Sequence, residues 1–269
     1  MLETIVRPTR ARARPHDIVL YAPLIRVISM RDLKARYKQS LLGPVWLVVQ
    51  PLTLLGAYIV GFRGVSHIGT GHVPYAVFAL AGITMWAYFQ AVAVAGTASF
   101  VSNGALVGQT ACPRIAFPVA TLFSCLPSFL VPLVASLIAS AATGVTSVRW
   151  LLLPLPALWM LFVTAGIVSI TSSVTVRFRD MLQVMPFLLQ LGAFVVPVGY
   201  PVATLSDKLR IVVSLNPLTG IIEAWRWAML DGNRPYMLSL YLSLGVGALV
   251  IALGWRTFAR AEVKMADVL

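Results

Sequence analysis

The side chains in this sequence that could carry chemistry are few and scattered. Its three histidines are His16, His67 and His72, and its two cysteines are Cys112 and Cys125. The histidines lie outside the apolar runs and the cysteines lack metal spacing, so nucleophilic, acid–base and metal chemistry all lack a constellation. Both cysteines read as small apolar fillers. Asp180, between Arg177 and Arg179, would serve poorly as the acid–base pair of a membrane-embedded transferase. It is more simply part of a cytoplasmic charge cluster that anchors a helix end. No GxxxxGK followed by Ser or Thr occurs, so a P-loop for ATP is not encoded.

What remains is polar and aromatic chemistry inside apolar runs. Trp86 stands 12 residues past Pro74, roughly 18 Å along a helix at 1.5 Å per residue. That is too deep for the interfacial belt where most membrane tryptophans sit. With Tyr88 and Phe89 beside it, its face could stack against a sugar ring, or pack against a neighbouring helix. Gln50 and Gln190 are uncharged but costly to expose to lipid, so each is expected to face protein or a cavity. No carboxylate falls within an apolar run, which argues against proton or sodium coupling at mid-membrane.

The elements that would position these residues are membrane spans. Hydrophobic residues make up 59% of the chain, charged residues 11%, and mean hydropathy is +0.86, which places it outside the range of soluble domains. Apolar runs recur at about 43–63, 73–100, 116–142, 149–175, 181–202 and 236–256. With the N-terminus inside, fifteen Lys and Arg fall on the inner side and six on the outer, the bias expected for cytoplasmic termini. That bias also accounts for the net charge of +12 without nucleic acid. The expected fold is all-α: a polytopic protein of six transmembrane helices.

Residues 1–16 read as a basic disordered arm that remains on the mature chain, with no apolar core of a signal peptide. Residues 17–40 read as an amphipathic cytoplasmic interface helix, its Tyr21, Leu24, Ile25 and Ile28 face dipping into lipid or packing on other cytoplasmic parts. Its basic surface is expected to run without a linker into the first span. Residues 41–269 read as one six-span transmembrane domain. Prolines at 44, 51, 118, 127, 132, 154, 156, 186, 197 and 201 predict kinked helices whose freed carbonyls find partners on neighbours. Residues 203–235, too polar to cross and too apolar for a solvated loop, predict two short outer helices, re-entrant or interfacial, divided at Asn216 and Pro217. Within the second, Glu223 and Arg226 stand at ion-pair spacing.

Six segments in order resemble the permease subunits of ATP-binding-cassette exporters for O-antigen, teichoic acid and related polysaccharides. They are RDLKARYKQSLLGPVWLVVQPL (31–52), GITMWAYF (82–89), NGALVGQTACPRIAFPV (103–119), VRFRDMLQVMPFLLQ (176–190), NPLTGIIEAWRWAMLDG (216–232) and the tail TFARAEVKMADVL. Gln109, where the family often has a basic residue, and Met265, where an aromatic is common, depart from the pattern. The resemblance implies a homodimer over two copies of an ATPase subunit, which binds ATP and Mg, while this chain holds no cofactor. It implies export of a polyprenyl-diphosphate-linked glycan across a bacterial inner membrane. Trp86, Tyr88, Phe89, Gln50 and Gln190 would line the substrate pathway. Asn216, Pro217, Glu223, Trp225 and Trp227 would form an outer gate, and Arg31, Lys34, Arg36, Lys38, Asn103 and Arg114 the ATPase interface. An exporter of a small drug or lipid, with the same architecture, is the alternative.

Overall fold

The computed structural model describes residues 15–38, 42–62, 70–104, 106, 113–230, 232 and 234–265. Most of the basic arm, His67, Gln109 and Cys112 lie outside them. Within the described residues every regular element is helical.

Helices α1 (Pro15–Leu20) and α2 (Ala22–Lys38) form the interface element, and α3 (Trp46–Phe62) is the first crossing. Helix α4 (Tyr75–Thr97) returns, and the single turn α5 (Ser99–Ser102) follows it. The third crossing is broken into α6 (Ala116–Ser124) and α7 (Pro127–Ala142), with the break just before Pro127. Helix α8 (Pro154–Arg177) is the fourth long apolar element, and α9 (Met181–Val195) stands where a fifth crossing is expected. The short α10 (Asp207–Ser214) and α11 (Pro217–Leu230) precede the last crossing, α12 (Met237–Met265). Five of these segments are long and apolar enough to span a membrane, and α9 is a shorter apolar helix.

Two expectations need correction, and one open alternative is decided. The interface helix does not run straight into the first span: α2 ends at Lys38, and Gly43, at φ 48°, opens a 3-10 turn (Gly43–Val45) that redirects the chain into α3. That left-handed backbone is one a residue with a Cβ seldom adopts. The face of α2 carrying Ile25 and Ile28 is buried on the bundle, against a cluster that includes Phe117, Ala120 and Phe258. Ser29 fixes this seat by donating to the Ala120 carbonyl at 3.0 Å, and the exposed apolar side of the element is instead Val19, Leu20, Val27 and Met30. Finally, the fifth crossing stops at Val195, not near 202. Its 15 residues cover roughly 22 Å, short of a hydrocarbon core of about 30 Å.

Helix α4 is the axis of the bundle. Its most apolar stretch is 78% buried, against 17% for α3, so α4 is enclosed by other helices whereas α3 lies on the outside. Hydroxyl pairs cross its contacts, Thr84 with Ser136 at 2.8 Å and Thr97 with Thr171 at 2.9 Å, a form of interhelical polar contact common in membranes. Helices α8 and α12 meet backbone to backbone: a Cβ placed on Gly254 would lie 2.4 Å from the Gly166 carbonyl oxygen.

Candidate functional site

A cavity of about 1010 Å³ lies between α3, α4 and α9, at the upper end of the range for ligand pockets. Gln50 on α3, Trp86 and Gln90 on α4, and Gln190 on α9 all line it. Three amides from three separate helices and the indoles of Trp46 and Trp86 therefore meet in one apolar space, and among the described residues no carboxylate lines it. Such a surface can hydrogen-bond sugar hydroxyls and present aromatic groups to a ring.

The other two aromatics of the motif point elsewhere. Tyr88 is buried, donates to the Leu122 carbonyl at 3.2 Å and meets Phe129 edge-on. Phe89 is buried with its ring 5.5 Å from that of Trp86, backing the indole from within the protein. Trp86 is itself 2% exposed, so only an edge of it reaches the cavity. Gly192 on α9 makes room for that ring, since a Cβ there would lie 2.9 Å from the indole. Gln90 entered the lining because helical spacing places it one turn beyond Trp86 on the same face.

Where α4, α11 and the turn beyond α9 meet stands a residue that sequence spacing paired differently. Among the described residues no ion pair joins Glu223 to Arg226. Arg226 is buried and crosses instead to α4 and to the turn beyond α9, donating to the Phe78 carbonyl at 3.2 Å, to the Pro197 carbonyl at 2.8 Å and to the Val198 carbonyl. Its guanidinium lies 3.8 Å over the Phe78 ring. Proline at 197 stops α9, and the carbonyls left without helical partners beyond that break are the ones Arg226 satisfies. Gly82 leaves the space, because a Cβ there would fall 2.2 Å from an Arg226 nitrogen.

Around this lock, Asn216 caps α11 by accepting from the Leu218 N–H at 2.9 Å, with Pro217 in the first helical position, both favourable at a helix start. Trp225 is buried against Phe129, ring centroids 5.6 Å apart. Trp227 is half-buried beneath Arg149, whose guanidinium lies 4.6 Å from its ring. Arg149 and Trp150 donate to the Trp227 and Met229 carbonyls, tying the loop after α7 to α11. Glu223 is half-buried beside a small cavity of about 110 Å³, and burial holds its carboxyl above the ordinary carboxylate range.

At the α2 end, Arg31 donates to Asp32 and to Asn103, and Asn103 is buried. Arg114 donates to the Glu262 carbonyl on α12 at 3.2 Å. Lys34 and Lys38 are exposed. Arg36 turns the other way, into the lining of the large cavity. The expected interface set is thus divided between surface charges, fasteners at the α2 end and one cavity residue.

The profile of the ABC-2 type transporter family matches residues 23–230. The chain is 28% identical over 251 residues to the O-antigen export system permease protein RfbA of Klebsiella pneumoniae, covering 91% of this chain and 95% of that protein. It is 26% identical over 227 residues to the protein of the same name from Myxococcus xanthus, covering 81% and 85%. With five helices long and apolar enough to cross a bilayer, it is an integral membrane protein. The matched segment runs from the interface helix through the Arg226 lock, and the chain belongs to the ABC-2 type transporter family.

Proposed function

We propose that this chain is the permease subunit of an exporter that moves a lipid-linked polysaccharide of O-antigen type across a bacterial inner membrane. It works as a homodimer, driven by ATP and Mg on two copies of a separate ATPase subunit, and both its termini are cytoplasmic. The observation that carries this reading is the cavity in which Gln50, Gln90, Gln190 and Trp86 converge with no carboxylate among them. Amides and an aromatic edge suit neutral sugars, and their neutrality favours passage over tight retention. The relatives' names support the same cargo. Exposed apolar side chains along α3 and α9, among them Leu52, Phe187, Leu191 and Phe194, support a second copy or lipid beside the cavity. ATP-driven closure of the ATPase pair would rock the inner end, where α2, α5, α6 and α12 are fastened together, as a rigid body.

Deletion of the gene in its native host tests the reading. Surface glycan should disappear while polyprenyl-linked glycan accumulates inside, with restoration by the intact chain. Normal surface glycan together with altered sensitivity to amphiphilic drugs would overturn it in favour of a small-molecule exporter. The purified chain alone should hydrolyse no ATP.

A further inference from the structure

Arg36 is the sole charged side chain lining the large cavity among the described residues. It lies at the inner mouth with Tyr37 and Trp46, close to the buried Cys125. The acidic residue on its helix, Asp32, is held by Arg31 at 2.6 Å, and no described carboxylate pairs with Arg36. An unneutralised guanidinium therefore stands where a neutral, amide-lined cavity opens toward the cytoplasm, beside the exposed apolar surfaces of α3 and α9. This arrangement suits an amphiphile with an anionic junction between a polar body and an aliphatic tail. The fork of an Arg matches phosphate oxygens two at a time, which a lysine cannot reproduce.

We propose that Arg36 is the cytoplasmic recognition residue for the diphosphate of a polyprenyl-linked substrate, receiving it at the mouth of the cavity while the tail stays in lipid along α3 and α9. This rests on the reading of the chain as a lipid-linked glycan exporter. It also moves Arg36 from the ATPase contact to the substrate.

The test is equilibrium binding of radiolabelled farnesyl diphosphate to the chain with its ATPase partner in phosphatidylcholine nanodiscs. Farnesol and inorganic pyrophosphate serve as the two halves of the probe, and phosphatidylglycerol as the competing lipid headgroup. Wild type should bind farnesyl diphosphate better than either half. Arg36→Gln should weaken it about tenfold to a hundredfold, the usual loss for a hydrogen bond to a charged group, and leave farnesol binding unchanged. Arg36→Lys should recover part of the loss, and Arg260→Gln, which removes an equal charge outside the cavity, should have no effect. Equal farnesyl diphosphate binding by wild type and Arg36→Gln would overturn the role of Arg36 and leave the exporter reading intact. Phosphatidylglycerol competing as well as farnesyl diphosphate would reduce the site to a general headgroup contact and overturn the proposal. Wild type binding farnesol as tightly as farnesyl diphosphate would count against both the proposal and the diphosphate-linked cargo.

Discussion

Gly82→Ala is one methyl group added to α4, yet it should act at the far end of α11. Its Cβ would stand 2.2 Å from an Arg226 terminal nitrogen and 2.7 Å from the Val198 carbonyl oxygen. The carbonyl belongs to backbone held by Arg226 itself, so the guanidinium must retreat by about 1 Å to restore ordinary contact. That retreat breaks the bond to Val198 and lengthens those to Pro197 and Phe78. A lost hydrogen bond to a charged group costs about 1.5–3 kcal/mol, and residual overpacking about 1–3 kcal/mol. Because the two are alternatives for one clash, a net loss of about 1.5–3 kcal/mol is expected. Arg226→Met should cost a similar amount, since it leaves three buried carbonyls unpaired while relieving the burial of a charge. The decisive measurement is the double variant, followed by reversible unfolding of the purified protein in mixed micelles. With the guanidinium gone, the added methyl has its main obstacle removed, and the double variant should be more stable than the sum of the singles by at least about 1 kcal/mol. Additivity within about 0.5 kcal/mol would show that Gly82 does not act through Arg226 and would refute the lock.

Further outcomes follow from other contacts. Gly254→Val should lower membrane accumulation sharply because its Cβ would meet Gly166 backbone, whereas Gly245→Val, with nothing within 4 Å, should accumulate normally; comparing the two in membrane fractions checks this. Trp86→Leu should reduce glycan export at normal abundance while Trp86→Phe keeps most of it, since loss of an aromatic contact costs about 0.5–1.5 kcal/mol beyond area; equal export would leave Trp86 a packing residue. Val148→Cys, at a side chain 98% exposed, should be labelled from outside by an impermeant maleimide while a tag at either terminus reports the cytoplasm. Burial raises the Glu223 carboxyl, so its ionisation opposes folding and stability should fall as pH climbs from the ordinary Glu range toward the raised value. Glu223→Gln should flatten that dependence in a thermal scan across pH, and an unchanged profile would contradict it.

Much of the architecture was legible in the chain itself. Runs of about twenty apolar residues can satisfy their backbone in lipid only as helices, and such helices are what the chain forms. The same reasoning located the two outer helices, because Asn216 and Pro217 combine a helix cap with a proline in the first turn. Gln50 and Gln190 are likewise expected to face protein or a cavity, since polar side chains are costly to expose to lipid, and both line one.

Tertiary structure decided which partners those groups found. Helical spacing made Glu223 the nearest partner of Arg226, but Pro197 ends α9 and frees carbonyls that attract the guanidinium across 28 residues of sequence. Spacing likewise could not choose between lipid and protein for the Ile25 and Ile28 face, which Phe117 and Phe258 settle by covering it. Arg36 and Lys34 look alike as charges on one helix, and only the turn at Gly43 and the placement of α3 bring the first to the cavity and leave the second at the surface. Composition and periodicity are local properties of a segment and so determine apolar helices and caps; the meeting of three amides, two indoles and one guanidinium depends on how separate helices cross, which no single segment encodes.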